Sequence, residues 1–269
     1  MADLLKNPVR SHIFQKGLLL HYDNHSHIIL ANIESMVEAA KKTEVSRLST
    51  TEHISQFTFA RQLVKFGSVH ESGRMFSSFD DYLKEFEKVK DVDGIQVRKG
   101  LEVDYIREYR SEIGEIVSRK KWDVLLCSIH EFPGGIDIED KKFPQDRKSA
   151  EERWIEYVEL QKEALRSNFI PFDILTHPER LAVGTPTAPE NFEELMMGLA
   201  KIAKERGKAL ELNGADLART PELVRKLASA CGKVGCNVSY GSDSHYPDQV
   251  SRNYDNARKL IEENELQVI

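Results

Sequence analysis

The chain has 269 residues, of which 40% are hydrophobic and 30% charged, with a formal net charge of −6. Such a composition is typical of a globular protein with a sizeable apolar core. The negative charge argues against general nucleic-acid binding. No apolar run is long enough for a membrane span or a signal peptide, so we expect a cytoplasmic protein. The three cysteines, Cys127, Cys231 and Cys236, are expected to be reduced and in or near the core.

Short apolar runs alternate with stretches of helical periodicity along the chain. In chain order, strands are predicted near 18–22, 45–50, 95–101, 124–129, 173–176, 208–212 and 237–240. Helices are predicted between them, among others at 33–42, 79–90, 150–165, 191–206 and 221–230. Seven βα units without an evident linker predict a single α/β domain over residues 1–269, built on a parallel sheet.

Two predicted connections are longer than a usual βα loop, at residues 54–78 and 131–149. Both follow a strand, so we expect them on the face to which the strands' carboxyl ends point. Long loops on such a face often form lids or substrate walls. Their cationic side chains either contact substrate or are simply solvated: Arg61, Lys65, Arg74, Lys141, Lys142 and Arg147.

Histidines and acids mark the end of nearly every predicted strand. In chain order the motifs are DNHSH (23–27), TEH (51–53), GLEVD (100–104), SIH (128–130), THPE (176–179) and GSDSH (241–245). An open sheet gathers ligands at one switch point, whereas a closed barrel directs every strand end to one centre, so we favour a barrel. Repeated imidazoles and carboxylates indicate a multinuclear metal-dependent hydrolase. The fingerprints GxGxxG and GxxxxGK[ST] are absent from the sequence.

Spacing within the motifs supports a shared site. His25 and His27 lie two residues apart at a strand end, so their side chains leave the same face. Asp243 and His245 repeat this spacing on the last strand, which neighbours the first in a closed barrel. A buried Glu102 needs a cation or several hydrogen-bond donors, and it could bridge two ions. Asp104 shares that face and is either part of the site or a solvated or capping residue.

The motifs, in this order and spacing, resemble those of the polymerase and histidinol phosphatase (PHP) family, and within it the histidinol-phosphate phosphatase branch. The resemblance covers almost the whole chain. It implies a distorted (βα)₇ TIM-like barrel with two to three divalent ions, Zn, Mn or Fe, at the carboxyl ends of the strands. Carried over motif by motif, it implies three sites: His25, His27, Glu102 and Asp243 for the first ion; Glu102, His130 and His177 for the second; His53 and His245 for the third.

The sequence departs from the family pattern after the first motif. Relatives usually supply a further histidine there for the third ion, whereas this chain reads IILANIE at 28–34. The third site is therefore either incomplete or completed by a ligand such as His70 from the long connection.

The resemblance implies a phosphomonoesterase that converts L-histidinol phosphate and water to L-histidinol and phosphate, a step of histidine biosynthesis. Its partner would be a small phosphorylated substrate, with neither a nucleic-acid surface nor a membrane involved. Asp243 or His245 is expected to handle protons. Arg180 and Arg219 lie just beyond predicted strands and are candidates to clamp the phosphate, although either could instead be a surface residue.

Three alternatives stay open at this point. A phosphatase or phosphodiesterase acting on nucleotides would need stacking aromatics, and Phe57, Phe59 and Phe132 with Glu131 permit either substrate class. An amidohydrolase is disfavoured because the metal-bridging lysine of that class is missing from SIH. A non-catalytic metal-stabilised module remains as a different class of function. The sequence does not predict an oligomeric state.

Overall fold

The computed structural model describes residues 21–68, 73–141 and 148–269. Its main sheet has seven strands in the order β1-β2-β3-β4-β7-β8-β9, and each neighbouring pair is parallel. These strands are β1 (Tyr22–Ser26), β2 (Arg47–His53), β3 (Gln96–Asp104), β4 (Val124–Ser128), β7 (Ile174–Leu175), β8 (Ala209–Asn213) and β9 (Val238–Gly241). A small antiparallel hairpin is formed by β5 (Glu131–Phe132) and β6 (Ile136–Asp137).

The two edge strands of this sheet meet and nearly close it. Ser26 and Ser244 form a parallel bridge. The amide of His27 donates to the carbonyl oxygen of Ser244 at 2.8 Å, and the amide of Asp243 donates to that of His25 at 2.8 Å. Such pairing removes most of the exposed sheet edge. The predicted TIM-like (βα)₇ barrel is therefore confirmed, and an open sheet is excluded.

Helices connect the strands and cover the barrel. They are α1 (Ile33–Lys42), α2 (Thr58–Leu63), α3 (Phe79–Leu83), α4 (Arg110–Val117), α5 (Ala150–Arg166), α6 (Phe192–Glu205), α7 (Gly214–Arg219), α8 (Pro221–Val234) and α9 (Tyr254–Glu263). Local sequence explains several ends. A capping box of Ser149 and Glu152 starts α5. Pro221 occupies the first turn of α8, and Gly235 ends that helix with φ +71° in the left-handed region that glycine tolerates.

Several predicted element boundaries differ from those of the structure, most clearly at the first strand and at the helix expected at 79–90. The first strand was expected near 18–22 but spans Tyr22–Ser26; residues 18–20 lie outside the described part of the chain. Its buried residues are polar, so they lack the apolar pattern from which strands are predicted. The helix expected at 79–90 is α-helical only to Leu83, and Lys84–Lys88 is a 3₁₀ helix. Tyr82 in the α-helical part and Glu85 in the 3₁₀ part are three residues apart and both buried, so one face stays buried across the change.

The apolar core lies mainly between the barrel and its helices, and its largest side chains include Trp154, Tyr82 and Tyr157. A smaller buried cluster of Val124, Leu126, Ile174 and Ala209 packs with Ile269 near the amino ends of the strands. The three cysteines are buried and unbridged, as predicted. In the described part of the chain, no helix is long and apolar enough to cross a membrane.

Candidate metal centre

The carboxyl ends of the barrel strands bring four of the predicted histidine ligands within 3.3 Å of one carboxylate. Glu102, near the end of β3, is fully buried. Its Oε2 atom lies 3.1 Å from His25 Nε2 and 3.0 Å from His53 Nδ1. Its Oε1 atom lies 2.9 Å from His177 Nε2 and 3.3 Å from His130 Nε2. Four imidazoles from four different strand ends thus face the two oxygens of a single glutamate.

The remaining predicted ligands form the other side of the same cluster. Asp243 Oδ1 lies 3.6 Å from His27 Nε2, 3.8 Å from His25 Nε2 and 3.8 Å from His245 Nδ1. The His27 ring stacks on the His53 and His245 rings, with centroids 4.4 and 4.3 Å away, and the centroids of those two rings lie 6.0 Å apart. All eight side chains named from the sequence therefore lie in one cluster.

The distances between the candidate donor atoms are close to those that a metal site requires. Donor atoms 2.0–2.1 Å from a tetrahedral ion stand about 3.3–3.4 Å apart. The contacts quoted above are 2.9 to 3.8 Å long, and so bracket that value. Three overlapping groups have ligand atoms within 4.8 Å of one another: His25, His27 and Glu102; His53, Glu102 and His130; His27, His53 and His245. Mixed imidazole and carboxylate donors suit zinc, manganese or iron, so the residues fit the expected ions.

The third of these groups bears on the departure noted in the sequence. His53 and His245 do not stand alone, because His27 forms a group with both of them and a second group with His25 and Glu102. His27 could therefore serve as a ligand of the third ion beside His53 and His245. His70, the suggested substitute, lies outside the described residues.

Opposite charges stabilise the ionised forms within the cluster. Burial alone would raise the pKa of Glu102, but the facing His53, His25 and His130 outweigh burial and hold it well below its usual range. Burial would likewise lower the pKa of His25, yet the carboxylates of Glu211, Glu102 and Asp243 raise it well above the usual value. Histidine binds a metal ion only in its neutral form, so a metal ion that binds here must displace protons from the histidine rings.

Further carboxylates contact the far nitrogens of the candidate ligands. Glu211 Oε1 lies 2.8 Å from His25 Nδ1, and Asp104 Oδ1 lies 2.6 Å from His130 Nδ1. Asp104 is therefore part of the site, one of the two possibilities left open by the sequence. Glu211 was missed, although a charged residue inside the apolar strand ALELN was an available signal. Histidine ligands commonly donate their second ring N–H to such carboxylates.

Two of the candidate ligands have strained backbones. His177 has φ +30° and Asp243 has φ +54°, both in the left-handed region that favours glycine. The His177 amide donates to Glu211 Oε2 at 2.9 Å, and the Asp243 amide donates to the carbonyl of His25 at 2.8 Å. Such conformations persist only where the surroundings enforce them, and they cluster at functional sites.

A cavity of about 440 Å³ opens above the cluster. Besides the ligands, its lining includes Ser55, Ser68, Asp137, Glu139, Arg180, Arg219, Tyr246, Gln249 and Arg252. A volume of this size suits a small molecule.

The two arginines proposed from the sequence differ in their surroundings. Arg180 is buried and contacts three carboxylates: Asp243 at 2.5 Å, Asp216 at 3.1 Å and Glu139 at 3.3 Å. Arg219 is about half exposed, and its closest carboxylate contact is Asp216 at 3.7 Å. A third arginine of the lining was missed in the sequence. Arg252 donates from Nε to the carbonyl of Ser242 at 2.6 Å and from Nη2 to that of Asp243.

The aromatic residues that the sequence offered for base stacking do not line this cavity. Phe57 is fully buried among Phe76, Phe79 and Tyr82, and Phe132 is also buried. Apart from histidines, the aromatic side chain among the described residues that line the cavity is Tyr246. Phe59 packs against the core as well. Glu131 accepts hydrogen bonds from the amides of Gly67 and Ser68, so it holds the loop rather than facing the cavity.

The chain is similar in sequence and in fold to known phosphatases. A relative in Acetivibrio thermocellus named "Probable phosphatase" is 26% identical over 251 residues, covering 90% of this chain and 86% of its own length. A histidinol-phosphatase of Lactococcus lactis is 24% identical over 253 residues, covering 90% of each chain. The solved structure of a histidinol phosphate phosphatase from L. lactis, in complex with zinc, L-histidinol and phosphate, has a TM-score of 0.76 at 20% identity, covering 93% and 95% of the two chains.

The family model of the PHP domain matches residues 21–215, which is well over half of the chain. That range includes β1 to β8 and six of the eight clustered side chains, with Asp243 and His245 following on the last strand. The barrel, the motifs and the family match agree, and the chain belongs to the PHP domain family.

Proposed function

We propose that this protein is a metal-dependent phosphomonoesterase that hydrolyses L-histidinol phosphate to L-histidinol and phosphate. The observation that carries the proposal is a cluster of eight candidate metal ligands, six of which line a small-molecule cavity whose wall also carries arginines. The relatives named histidinol-phosphatase, and the solved relative that holds zinc, L-histidinol and phosphate, support the same substrate.

Two to three divalent ions would be held by His25, His27, His53, Glu102, His130, His177, Asp243 and His245. When bound, such ions supply acidified water and neutralise phosphoryl charge. Zinc is the first candidate because the L. lactis structure contains it, with manganese and iron as the other ions this donor set accepts.

The arginines have a distinct role in the proposal. Arg180 lines the cavity, with Nη2 beside Asp243 and Nη1 beside Glu139, and a phosphoryl oxygen there could accept a hydrogen bond from its guanidinium. Arg219, half exposed, would contact the same phosphate as substrate enters. Asp243 and His245 both line the cavity, and they would transfer the proton needed by the leaving alcohol.

The cavity's acidic side favours a cationic leaving group. Asp137 and Glu139 both line it, on or next to the hairpin strand β6. Burial would raise the pKa of Glu139, but Arg180, His130 and His177 outweigh burial and lower it, which keeps the carboxylate charged. These two carboxylates would attract the amino group of histidinol phosphate and repel the additional negative charges of a nucleotide.

The test is release of inorganic phosphate from a panel of monoesters, with zinc or manganese added. Histidinol phosphate should have the highest kcat/KM, and His130→Ala should abolish activity. Asp137→Asn, at the lining carboxylate that does not contact Arg180, should raise KM for histidinol phosphate and leave KM for p-nitrophenyl phosphate, which lacks an amine, nearly unchanged. A clear preference for nucleotides would contradict the substrate assignment. No hydrolysis of any ester by a metal-loaded protein would instead favour a non-catalytic module.

A further inference from the structure

We infer that Glu211 is a positioning residue that fixes His25 and His177 together as metal ligands. The inference rests on the proposed function, because it concerns the ions that this cluster would hold. Glu211 lies in the middle of β8 and is 1% exposed. No sequence motif of the site includes it.

Both oxygens of this carboxylate accept hydrogen bonds. Oε1 faces His25 Nδ1 at 2.8 Å. Oε2 accepts from the backbone amide of His177 at 2.9 Å and from Asn213 Nδ2 at 3.0 Å. One side chain thus contacts a ligand of the first proposed ion and the backbone of a ligand of the second.

The contact with His25 determines which ring nitrogen is free. Because a carboxylate only accepts, the neutral His25 ring facing Glu211 carries its hydrogen on Nδ1. Its Nε2 lone pair then points into the cluster, 3.1 Å from Glu102 Oε2. The opposite tautomer would place a hydrogen where the ion must bind.

The contact with His177 acts on the backbone. At φ +30° this residue is in a conformation that its side chain disfavours, and the hydrogen bond to Glu211 fixes its amide there. Its ring Nε2 then reaches Glu102 Oε1 at 2.9 Å.

A neighbouring glycine leaves the space that this arrangement needs. A Cβ atom at Gly241 would collide with the Glu211 carboxylate and with the Cβ atom of His25. Any side chain at position 241 would therefore push the two residues apart, which explains a glycine in the strand next to β8.

The isosteric substitution Glu211→Gln separates this role from mere packing. An amide has one acceptor oxygen, whereas three donors converge on the carboxylate. The backbone amide of His177 cannot change, so the amide oxygen should turn to that side and present its NH₂ to His25. The His25 hydrogen would then move to Nε2 and block the ligand position.

The experiment measures zinc bound at equilibrium, by dialysis against buffered free zinc and elemental analysis. Glu211→Gln should bind zinc about 10 to 100 times more weakly than the wild type, the usual effect of removing such a partner. Glu163→Gln is the matched control, because that partly exposed glutamate contacts Tyr105 and Arg107 instead. Asp104 contacts the ring of one ligand, so Asp104→Asn should weaken the binding of fewer zinc ions than Glu211→Gln does.

Equal zinc affinity of Glu211→Gln and the wild type would overturn the inference and leave the proposed function intact. Failure of the wild type to bind zinc, manganese or iron would contradict both. Should Glu211→Gln not fold, the ring ¹⁵N chemical shifts of the zinc-loaded wild type, measured by NMR, show which nitrogen of His25 carries the hydrogen and which binds zinc. We expect His25 to be protonated at Nδ1 and bound through Nε2, and the reverse arrangement would overturn the inference.

Discussion

Replacing Arg180 with methionine should destabilise the protein far more than the same change at Arg219. Arg180 is buried and holds Asp243 and Asp216 at 2.5 and 3.1 Å. Without it, two buried carboxylates lose their cation. Removing one partner of a buried ion pair costs about 3–5 kcal/mol. For a domain of this size, that lowers the Tm by roughly 10 °C.

Arg219→Met provides the matched control. Its guanidinium is half exposed and 3.7 Å from Asp216, and exposed pairs contribute about 0–1 kcal/mol. Thermal unfolding of the metal-free proteins, followed by circular dichroism, measures both changes without the added effect of bound ions. Adding Asp216→Asn to Arg180→Met removes one of the two buried carboxylates that lost the Arg180 cation. The double variant should therefore regain part of the lost stability.

Equal Tm values for the two methionine variants would refute this reasoning. The buried contacts of Arg180 would then contribute no more than a surface pair, and its fixed position beside Asp243 would need another explanation. A double variant less stable than Arg180→Met would also contradict it.

Two further predictions concern regions outside the site. Burial lowers the pKa of His21 from 6.5 to about 4, so its contribution to stability is full above pH 6.5 and is lost as the pH falls towards 4. His21→Phe, which keeps the stack on Tyr254, should therefore become more stable relative to wild type between pH 7 and 4.5 in urea unfolding; a constant difference would contradict this. Ser149→Ala removes the capping box of α5 and should cost about 1 kcal/mol in the same assay, whereas an unchanged midpoint would show that the cap contributes nothing.

The general plan of the site could be predicted because its chemistry repeats along the chain. His25 and His27 share a face through the two-residue period of a strand, and the same spacing returns at Asp243 and His245. Parallel strands all end on one face, so motifs far apart in sequence must converge there. The barrel followed from the same reasoning, since six motifs cannot meet at one switch point of an open sheet.

The contacts that support this plan could not be predicted in the same way. Glu211 is 186 residues from His25 and lies within a strand rather than at its end. Arg252 follows the last motif and reaches the site through backbone carbonyls, which have no sequence signature. Such partners depend on the register between strands, whereas a pattern along one strand reports only which face a residue occupies.

The aromatic residues illustrate a second limit. Phe57 and Phe132 follow strands that end at the site, so sequence order placed them near the cavity. The structure buries both in the core, because large apolar side chains are stabilised most by complete removal from water. Proximity in sequence to a site residue therefore did not predict contact with the cavity.

The most direct test of the metal centre is the zinc content of the wild type and of Glu102→Gln after equilibration at the same free zinc concentration. Glu102 lies within 3.3 Å of four candidate ligands and is shared by the first two proposed sites. We predict at least two ions for each wild-type chain, and a loss of bound zinc in a variant that remains folded. A wild type without zinc, manganese or iron, or a variant with undiminished zinc, would contradict the account.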